Sequence, residues 1–535
     1  MLKHKRVKLM MITAMVVLGV EGCSKAPNGP PPPALTPATM SRVGTVDERF
    51  QSYNVEMLEV TGGNFWKPYG SQSNTGAKPV QPSLNVPAGM NPDMYQYRPP
   101  IDLTNLRRRK LAAALGPAYV RVSGTWANTS YFYDANGPAP KTPPKGFNGV
   151  LTRQQWKGFI DFANAVNARV VTSFPTGVGT RNSAGVWTPR EATKFLAYTR
   201  SIGGSIAAAE FMNEPTAASM GGAPKGYDAA AYGRDLAVFR PFVKKTAPNL
   251  VILGPGSVGE GGTMVLPAGI MLSSEDLLKA AGPVFDAFSY HFYGAVSNRC
   301  ATLGANDLTT EDAALSDEWF SRTDTVETFY ANLRDRFEPG KPLWITETAD
   351  AACGGNPWAS TFLDTFRYLN QLGSMAQRGV QVVMHNTLDA SDYGLLDENT
   401  LQPRPDYWAA LLWRKLMGTT VLNPGAFSAA GLHVYAHCLR DIPGGVTVLV
   451  INANRTAPQS LDVPMAAERY TITAGNLLSK QVQLNGSELS LGADDVLPQL
   501  TGTPTDSGNL IFAPASITFL AIPNANNSAC RQGSR

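Results

Sequence analysis

Two glutamates, Glu214 and Glu347, follow short apolar stretches in which a charge has no packing role. The stretch before Glu347 begins at Pro342, and the stretch before Glu214 begins at Ser205 and is stopped by Pro215. Apolar runs of this length bounded by turn residues are typical of strands buried on both faces. A pair of carboxylates facing each other across a cleft is the minimum equipment for cleaving a glycosidic bond, although each could instead be a salt-bridged carboxylate at a strand end.

The neighbouring residue types suggest a division of roles. Hydrolysis with retention of configuration needs one acid to protonate the leaving oxygen and one carboxylate to attack the anomeric carbon. Glu214, preceded by Asn213 whose amide could bind a sugar hydroxyl, suits the acid/base, and Glu347 suits the nucleophile. His291 and Tyr293 end another apolar run. His291 alone could be a core histidine, but beside a nucleophile both side chains could position it and tune its pKa.

Eight strand-like runs alternate with helical patterns and would position these residues. They are Phe50–Glu56, Ala118–Ser123, Ala168–Phe174, Ser205–Met212, Asn249–Leu253, Val284–Phe292, Pro342–Thr346 and Val380–Met384. This alternation predicts an α/β fold, a (β/α)8 TIM barrel over residues 45–418, in which the two glutamates end the fourth and seventh strands. Both would then lie at the catalytic face of the barrel.

Two other stretches differ in composition and residue pattern from the predicted barrel. After residue 418, short alternating runs are separated by Gly, Pro and Asn, which predicts a C-terminal all-β sandwich domain over residues 419–535. The interval Thr61–Pro100 is rich in Gly, Asn, Pro and aromatic residues. A loop of that length inside a compact domain is usually functional, so we expect it to form one wall of the cleft.

The N-terminus has the pattern of an export signal. Four cations precede the apolar run Leu9–Val20, and Cys23 follows shortly after. The pattern resembles a bacterial lipobox and predicts a signal peptide over residues 1–22, lipidation of Cys23 and anchoring to the periplasmic or cell-surface face of a bacterial membrane. The alternative is an ordinary secretory signal with an incidental cysteine. Residues 23–44, rich in Pro, are expected to form a linker.

The remaining cysteines are Cys300, Cys353, Cys438 and Cys530. An even number in an exported protein suggests two disulfides, for which three connectivities exist. A Cys438–Cys530 bridge is favoured because it would tie down the C-terminus, and Cys300–Cys353 is the more speculative pair. The spacings typical of metal sites are absent from the sequence, and we predict neither a metal nor a cofactor.

The charge of the chain provides no global field that would attract a polyanion such as a nucleic acid. The chain carries 46 Lys and Arg against 42 Asp and Glu, and four of the cations but one of the acids lie in the first 22 residues. The mature chain is therefore close to neutral, and its single dense basic run, Arg107–Lys110, opens a helical pattern and is expected to be a solvated face. We expect no nucleic-acid partner and a monomer.

Ten motifs spread over the chain carry a family resemblance. They are Phe50–Tyr53, Gly116–Thr125, Asn213–Pro215, Ile345–Thr348, Cys353–Gly355, Gly379–Met384, Asp392–Asp397, Pro405–Trp408, Lys415–Thr419 and Tyr435–Cys438. Together they closely resemble heparanase and its relatives in glycoside hydrolase family 79. The resemblance covers most of the mature chain.

The resemblance implies a retaining β-glucuronidase that acts on β-linked glucuronic acid in polysaccharides or glycans, with Glu214 as acid/base and Glu347 as nucleophile. Members of this family hold the glucuronate carboxylate with a tyrosine and with backbone N–H groups of a glycine loop. Those positions match Tyr393 and the Cys353-Gly354 backbone, where glycine permits close approach.

Further positions are implied by the same resemblance. Glu56, Thr125 and Asn213 match residues that line the same sugar subsite, and Cys438 with Cys530 matches the family disulfide. The chain lacks the basic cluster that animal heparanase carries around the position of residues 429–432, which argues against a heavily sulfated substrate. The sequence leaves open whether the enzyme cuts inside chains or removes terminal residues.

Two alternatives remain at this stage. One is a related barrel glycosidase for neutral sugars, which would have no use for Tyr393. The other, from a different class, is a non-catalytic polysaccharide-binding surface lipoprotein on a glycosidase scaffold. The presence of both Glu214 and Glu347 argues against the second alternative.

Overall fold

A computed structural model describes residues 33–70, 87, 90–262, 271–303 and 308–531. The predicted signal segment and Cys23 lie outside the described residues, so the lipid anchor stays a prediction. In the part of the chain that the structure describes, the helices are too short or too polar to cross a membrane.

The elements alternate as the sequence patterns predict over most of the chain. The strands are β1 (Arg42–Thr45), β2 (Gln51–Glu56), β3 (Gly63–Trp66), β4 (Tyr95–Arg98), β5 (Ala118–Ser123), β6 (Ser130–Tyr133), β7 (Gly149–Thr152), β8 (Ala168–Ser173), β9 (Ile206–Glu210), β10 (Val251–Ser257), β11 (Ala287–Val296), β12 (Leu343–Ala352), β13 (Val382–His385), β14 (Met417–Leu422), β15 (Leu432–Leu439), β16 (Val446–Asn452), β17 (Gln459–Val463), β18 (Ala467–Thr473), β19 (Gln483–Leu484), β20 (Ser487–Glu488), β21 (Thr503–Thr505), β22 (Gly508–Phe512) and β23 (Ser516–Ile522). The α-helices are α1 (Met57–Thr61), α2 (Leu106–Ala114), α3 (Arg153–Ala165), α4 (Arg190–Ser201), α5 (Ala229–Thr246), α6 (Ser274–Ala281), α7 (Asp317–Phe337), α8 (Phe362–Gln377) and α9 (Pro405–Leu416).

Eight parallel strands close into a barrel, which confirms the predicted fold class. Their order around the barrel is β2, β5, β8, β9, β10, β11, β12 and β13, and β13 pairs with β2. Inside the barrel one end is filled by apolar side chains: Tyr119, Val171, Ala208, Leu253, Ala287, Trp344, Val382 and Met384. Burial of this layer leaves the opposite, carboxyl-terminal end for polar groups.

The two glutamates do not end their strands as the sequence predicts. Glu347 lies in the middle of β12, because β11 and β12 remain paired beyond the barrel as far as Val296 and Ala352. Glu214 lies beyond the end of β9, in a left-handed backbone conformation with φ of 52°. Both nevertheless reach the carboxyl-terminal face of the barrel.

The C-terminal domain is an antiparallel β-sheet structure. Its main sheet has nine strands, in which β14, β15, β16, β23 and β18 are neighbours. One face packs on the barrel helices, for example through Tyr435 and Asn370 of α8, and the other face is covered by the two-stranded sheet of β17 and β22. Both disulfides of the favoured connectivity, Cys438–Cys530 and Cys300–Cys353, are present.

The end of the predicted linker is part of this domain rather than a spacer. Leu35 and Met40 are buried in the core of the β-domain, and β1 pairs with β14. Composition predicted a Pro-rich extended segment. Such a short segment can also pair with the edge strand of a sheet when its few apolar residues are buried in a hydrophobic core.

The interval Thr61–Pro100 also contains regular structure. Its two ends, β3 and β4, form an antiparallel hairpin beside the barrel mouth in which Trp66 stacks on Tyr95, with ring centroids 4.6 Å apart. The prediction of an irregular loop was therefore wrong for these ends. Both aromatic rings line the barrel-mouth cavity, in agreement with the predicted wall.

Candidate active site

A polar layer lies directly above the apolar layer of the barrel. Because strand side chains alternate, Arg121 on β5 follows the inward-facing Tyr119, and Glu210 on β9 follows Ala208. Arg121 is 1 % exposed and donates from Nη1 to Glu347 Oε2 at 2.8 Å and from Nη2 to Glu210 Oε2 at 2.9 Å. Arg121 therefore links Glu347 on β12 to Glu210 on β9.

Glu347 is held as an ionised carboxylate. Its Oε1 accepts a hydrogen bond of 2.6 Å from the hydroxyl of Tyr293, and its Oε2 accepts the one from Arg121. Burial alone would raise the pKa of Glu347, but the positive charges of His291 and Arg121 and these hydrogen bonds outweigh it and lower the pKa. A buried carboxylate that stays ionised is suited to nucleophilic attack.

Glu214 is positioned by its backbone and by His291. The preceding residue, Asn213, exchanges two hydrogen bonds of 2.9 Å with the side chain of Asn128. Glu214 Oε1 lies 3.1 Å from His291 Nδ1. Burial raises the pKa of Glu214, and the charge of Glu347 raises it further against the opposing effect of His291. The two glutamates therefore have pKa shifts of opposite sign.

His291 is surrounded by three carboxylates. Burial would lower its pKa, but the charge of Glu347, the nearby carboxylate of Glu210 and the hydrogen bond with Glu214 raise the pKa of His291 to about 9. Arg121 Nη2 also lies 3.2 Å from His291 Nε2, a distance that would suit a neutral ring. We assign the protonated ring, because the two N–H bonds of Arg121 Nη2 are already directed at shorter contacts with Glu210 and Asn213.

The two glutamates are close together. An oxygen of Glu214, an oxygen of Glu347 and a ring nitrogen of His291 all lie within 4.8 Å of one another. Such a group could hold a cation, but Arg121 already donates to Glu347 there and supplies a positive charge. The spacing falls near the range of about 5–5.5 Å found in retaining glycosidases and below the 6.5–9.5 Å of inverting ones.

These groups form the floor of a cavity at the carboxyl-terminal end of the barrel. The cavity is lined by Glu56, Trp66, Pro87, Met90, Tyr95, Gly124, Thr125, Trp126, Asn213, Glu214, Ala217, Met220, Gly221, Val258, Tyr293, Val296, Glu347, Ala352, Cys353, Asn386 and Tyr393. Eight of the predicted site residues are in this set. The other two, His291 and Gly354, lie behind the surface, against Glu214 and Trp66 respectively.

One amide connects the Glu347 side of the cavity to the side predicted to bind the sugar. Asn386 Nδ2 donates to the hydroxyls of Tyr293 and Tyr393, at 3.1 and 3.0 Å, and to Glu56 Oε1 at 3.2 Å. Burial, and then the charge of Glu347, raise the pKa of Glu56 to about 8, which favours the protonated carboxyl near neutral pH. A Cβ on Gly124 would lie 1.7 Å from Glu56 Oε2, which is why only glycine fits there.

The loop after β12 turns sharply beside Tyr393. Cys353 and Gly354 both have positive φ, 64° and 83°, and a Cβ on Gly354 would lie 2.7 Å from Trp66. The disulfide to Cys300 ties this turn to the segment after β11. Within the described part of the chain, the backbone N–H groups of Cys353 and Gly354 have no hydrogen-bond acceptor.

Sequence reasoning missed three polar residues of the site. Arg121 and Glu210 are single charges inside otherwise apolar strand runs, and Asn386 directly follows the last barrel strand. A charge within a strand buried on both faces was the available signal, since such a residue must face a partner inside the barrel.

The chain has relatives of known type. Residues 104–373, half of the chain, match the family model for the N-terminal domain of glycosyl hydrolase family 79. Heparanase from Mus musculus is 32% identical over 371 residues, covering 64% of each chain, and hyaluronoglucuronidase from Hirudo nipponia is 27% identical over 482 residues, covering 81% of this chain and 92% of the relative. The crystal structure of a 4-O-α-L-rhamnosyl-β-D-glucuronidase from Fusarium oxysporum 12S has a TM-score of 0.61 at 12% identity, covering 92% of this chain and 99% of the other, which shows a shared fold. The family match over half of the chain, together with the barrel and its cavity, identifies this protein as a glycoside hydrolase of family 79.

Proposed function

We propose that this enzyme is a retaining β-glucuronidase in which Glu347 is the nucleophile and Glu214 the acid/base. The observation that carries the proposal is the close pair of glutamates at the cavity floor, whose pKa shifts have opposite signs. Paired carboxyl groups whose environments separate their pKa values are the usual assignment of acid and base in such sites.

In the first half of the reaction, ionised Glu347 attacks the anomeric carbon while the bond to the leaving oxygen breaks. Glu214 delivers its proton to that oxygen, and the sugar becomes an ester of Glu347. His291 donates to Glu214 Oε1, which leaves Oε2 to carry the proton. Tyr293 and Arg121 hold Glu347 in place for the attack.

In the second half, Glu214 is ionised and takes a proton from a water molecule. The resulting hydroxide adds to the anomeric carbon, the ester bond to Glu347 breaks, and the sugar leaves with its original configuration. Because Glu214 regains its proton and Glu347 its charge, the site returns to its starting state.

We propose that the sugar carries a carboxylate, as in glucuronic acid. Tyr393 and Cys353 both line the cavity, and within the described residues the backbone N–H groups of Cys353 and the adjacent Gly354 have no acceptor, so these groups could donate to that carboxylate. The raised pKa of Glu56, nearby, favours a protonated carboxyl, which repels an anion less than an ionised one does. The printed names of the relatives, a heparanase and a hyaluronoglucuronidase, agree with this substrate class.

The roles can be separated with azide as a replacement nucleophile. Glu347→Ala and Glu214→Ala should each lose hydrolysis of an aryl β-glucuronide that has a good leaving group. Azide should restore turnover in both, giving an α-linked glycosyl azide with Glu347→Ala, because azide occupies the empty nucleophile position, and a β-linked one with Glu214→Ala. NMR of the products distinguishes the two.

The wild-type enzyme supplies the control, since its first-formed product should be the β-anomer. The reverse pairing of azide products would exchange the two roles, and an α-anomer from the wild-type enzyme would contradict retention. Failure to hydrolyse any glucuronide would remove the proposed substrate.

A second test concerns the carboxylate that we propose on the substrate sugar. Tyr393→Phe should lower kcat/KM for an aryl glucuronide by about 10- to 100-fold, because a hydrogen bond to a charged group is worth about 1.5–3 kcal/mol. The matched aryl glucoside, which lacks the carboxylate, should lose far less. Tyr95→Phe, at another wall of the same cavity, serves as the control. Equal losses on both substrates would favour a glycosidase for neutral sugars.

A further inference from the structure

We infer that the leaving group accepted by this enzyme is uncharged and presents an apolar face, so that sulfate or carboxylate on the sugar next to the scissile bond is excluded. The inference rests on the proposed function, because it uses Glu214 to identify the side of the cavity that holds the leaving group. The residues that line that side then determine which leaving groups the site accepts.

The leaving-group side is the wall built from the chain after Glu214. A general acid must lie beside the oxygen that it protonates, so we assign the lining residues that adjoin Glu214 to the side of the departing group. Ala217 follows in the same turn, its N–H donating to the Glu214 carbonyl at 2.9 Å, and Met220 continues the wall. Val258 joins this wall through Thr216.

This wall is firmly attached to the barrel. Thr216 Oγ1 donates to the carbonyl of Val258 at 2.9 Å and lies 3.0 Å from its N–H, and the N–H of Leu272 donates to the Thr216 carbonyl at 2.8 Å. Val258 is 3 % exposed. The Val258 part of the wall is therefore held to the segment after Glu214 by these hydrogen bonds.

Among the described residues, the side chains of this wall provide no counter-charge for an anion. Ala217, Met220 and Val258 are all apolar, and among the described residues that line the whole cavity there are three glutamates and neither lysine nor arginine. The buried Arg121 lies beneath the floor and is committed to Glu347 and Glu210.

An anion at this position would lose hydration without gaining a counter-charge. Burying an unpaired charge costs several kcal/mol even after relaxation, and the ionised Glu347 nearby adds repulsion. A neutral leaving group meets the opposite situation, because the methyl groups of Val258 and the thioether of Met220 can pack against an aryl ring or the C–H face of a sugar. The wall therefore selects by charge.

The experiment compares two substrates that differ by one sulfate. Each is a disaccharide in which glucuronic acid is β-linked to an amino sugar. The amino sugar is unsulfated in one substrate and carries a single O-sulfate in the other. With the wild-type enzyme we expect kcat/KM to be at least about 30-fold lower for the sulfated one, the ratio that a 2 kcal/mol penalty produces.

Charge variants locate the cause of this ratio. Met220→Lys and Val258→Lys each place a cation on the wall and should reduce the ratio several-fold, mainly by improving the sulfated substrate. Two positions are used because Val258 is buried and its variant could be unstable, whereas Met220 is partly exposed. The control is Val43→Lys, which adds the same charge on an exposed position of β1 and should leave the ratio unchanged.

The outcomes separate this inference from the proposed function. Equal or faster hydrolysis of the sulfated disaccharide would overturn the inference and leave the β-glucuronidase in place, as would a ratio that Val43→Lys changes as much as Met220→Lys does. Hydrolysis of neither disaccharide, with an aryl glucuronide also uncleaved, would overturn the proposed function itself.

Discussion

The barrel contains two buried clusters that each have one arginine among several acids. In the first, Arg121 binds Glu210 and Glu347 at the floor of the cavity. In the second, Arg367 of α8 donates to Asp364 at 2.5 Å, close to two other buried acids, Asp350 at the end of β12 and Asp406 of α9. The second cluster has no residue in the cavity lining.

The pKa shifts distinguish the two clusters. In the Arg367 cluster the acids beside the ion pair shift in one direction: burial and the charge of Asp364 raise the pKa of Asp350 to about 8 and raise that of Asp406 as well. In the Arg121 cluster the pKa of Glu347 is lowered while that of Glu214 is raised. A buried charged residue is therefore a poor marker of an active site by itself. Two neighbouring acids beside a cavity whose pKa values shift in opposite directions are a better marker.

The largest effect that this comparison predicts comes from replacing each arginine by lysine. Arg121→Lys should lower kcat about 10²- to 10³-fold, because one flexible ammonium cannot reproduce the fixed contacts that orient Glu347. Arg367→Lys should leave kcat per folded molecule within about twofold. Steady-state kinetics with an aryl glucuronide, corrected for the folded fraction, measures both.

Stability provides the matched control, since both arginines are buried and paired. Each lysine variant should lose about 1.5–3 kcal/mol of the free energy of unfolding, observed as a lower urea midpoint. If Arg367→Lys reduced kcat as strongly as Arg121→Lys does, the distinction between a catalytic and a structural cluster would be wrong.

The barrel was predictable because its strands carry their signal locally. The period and length of the apolar runs located all eight strands, and the bounds Ala118–Ser123 agree with those of β5. The C-terminal β-domain was predictable for the same reason. The pairing of β1 with β14 was not, because it joins segments from opposite ends of the sequence, and the composition of a short extended segment does not reveal its partner.

The site was predictable where a residue type is unusual for its position. Glu214 and Glu347 stand out after apolar runs, and the family resemblance added Tyr393 and the glycine turn. The hydrogen bonds of Asn386 to two tyrosines could not be foreseen, because they depend on how the ends of different strands converge. Arg121 was overlooked although a charge in a buried strand is itself a signal.

The smallest predicted effect concerns pH, and it tests the electrostatics of the first cluster. The proposed mechanism requires ionised Glu347 and protonated Glu214, so kcat/KM should rise with pH through the lower pKa and fall through the higher one. His291 lowers the pKa of both glutamates. Removing it with His291→Gln should therefore move both limbs of the profile toward higher pH, by on the order of one unit.

The matched control is His433→Gln, which removes a histidine that pairs with Asp317 of α7 and does not line the cavity. Its profile should coincide with that of the wild-type enzyme. If His291→Gln moved the two limbs in opposite directions, His291 would not be a shared positive charge between the glutamates. Because His291 Nδ1 lies 3.1 Å from Glu214 and 3.7 Å from Glu347, a single imidazolium can act on both, and a common shift of the two limbs is the result that this geometry requires.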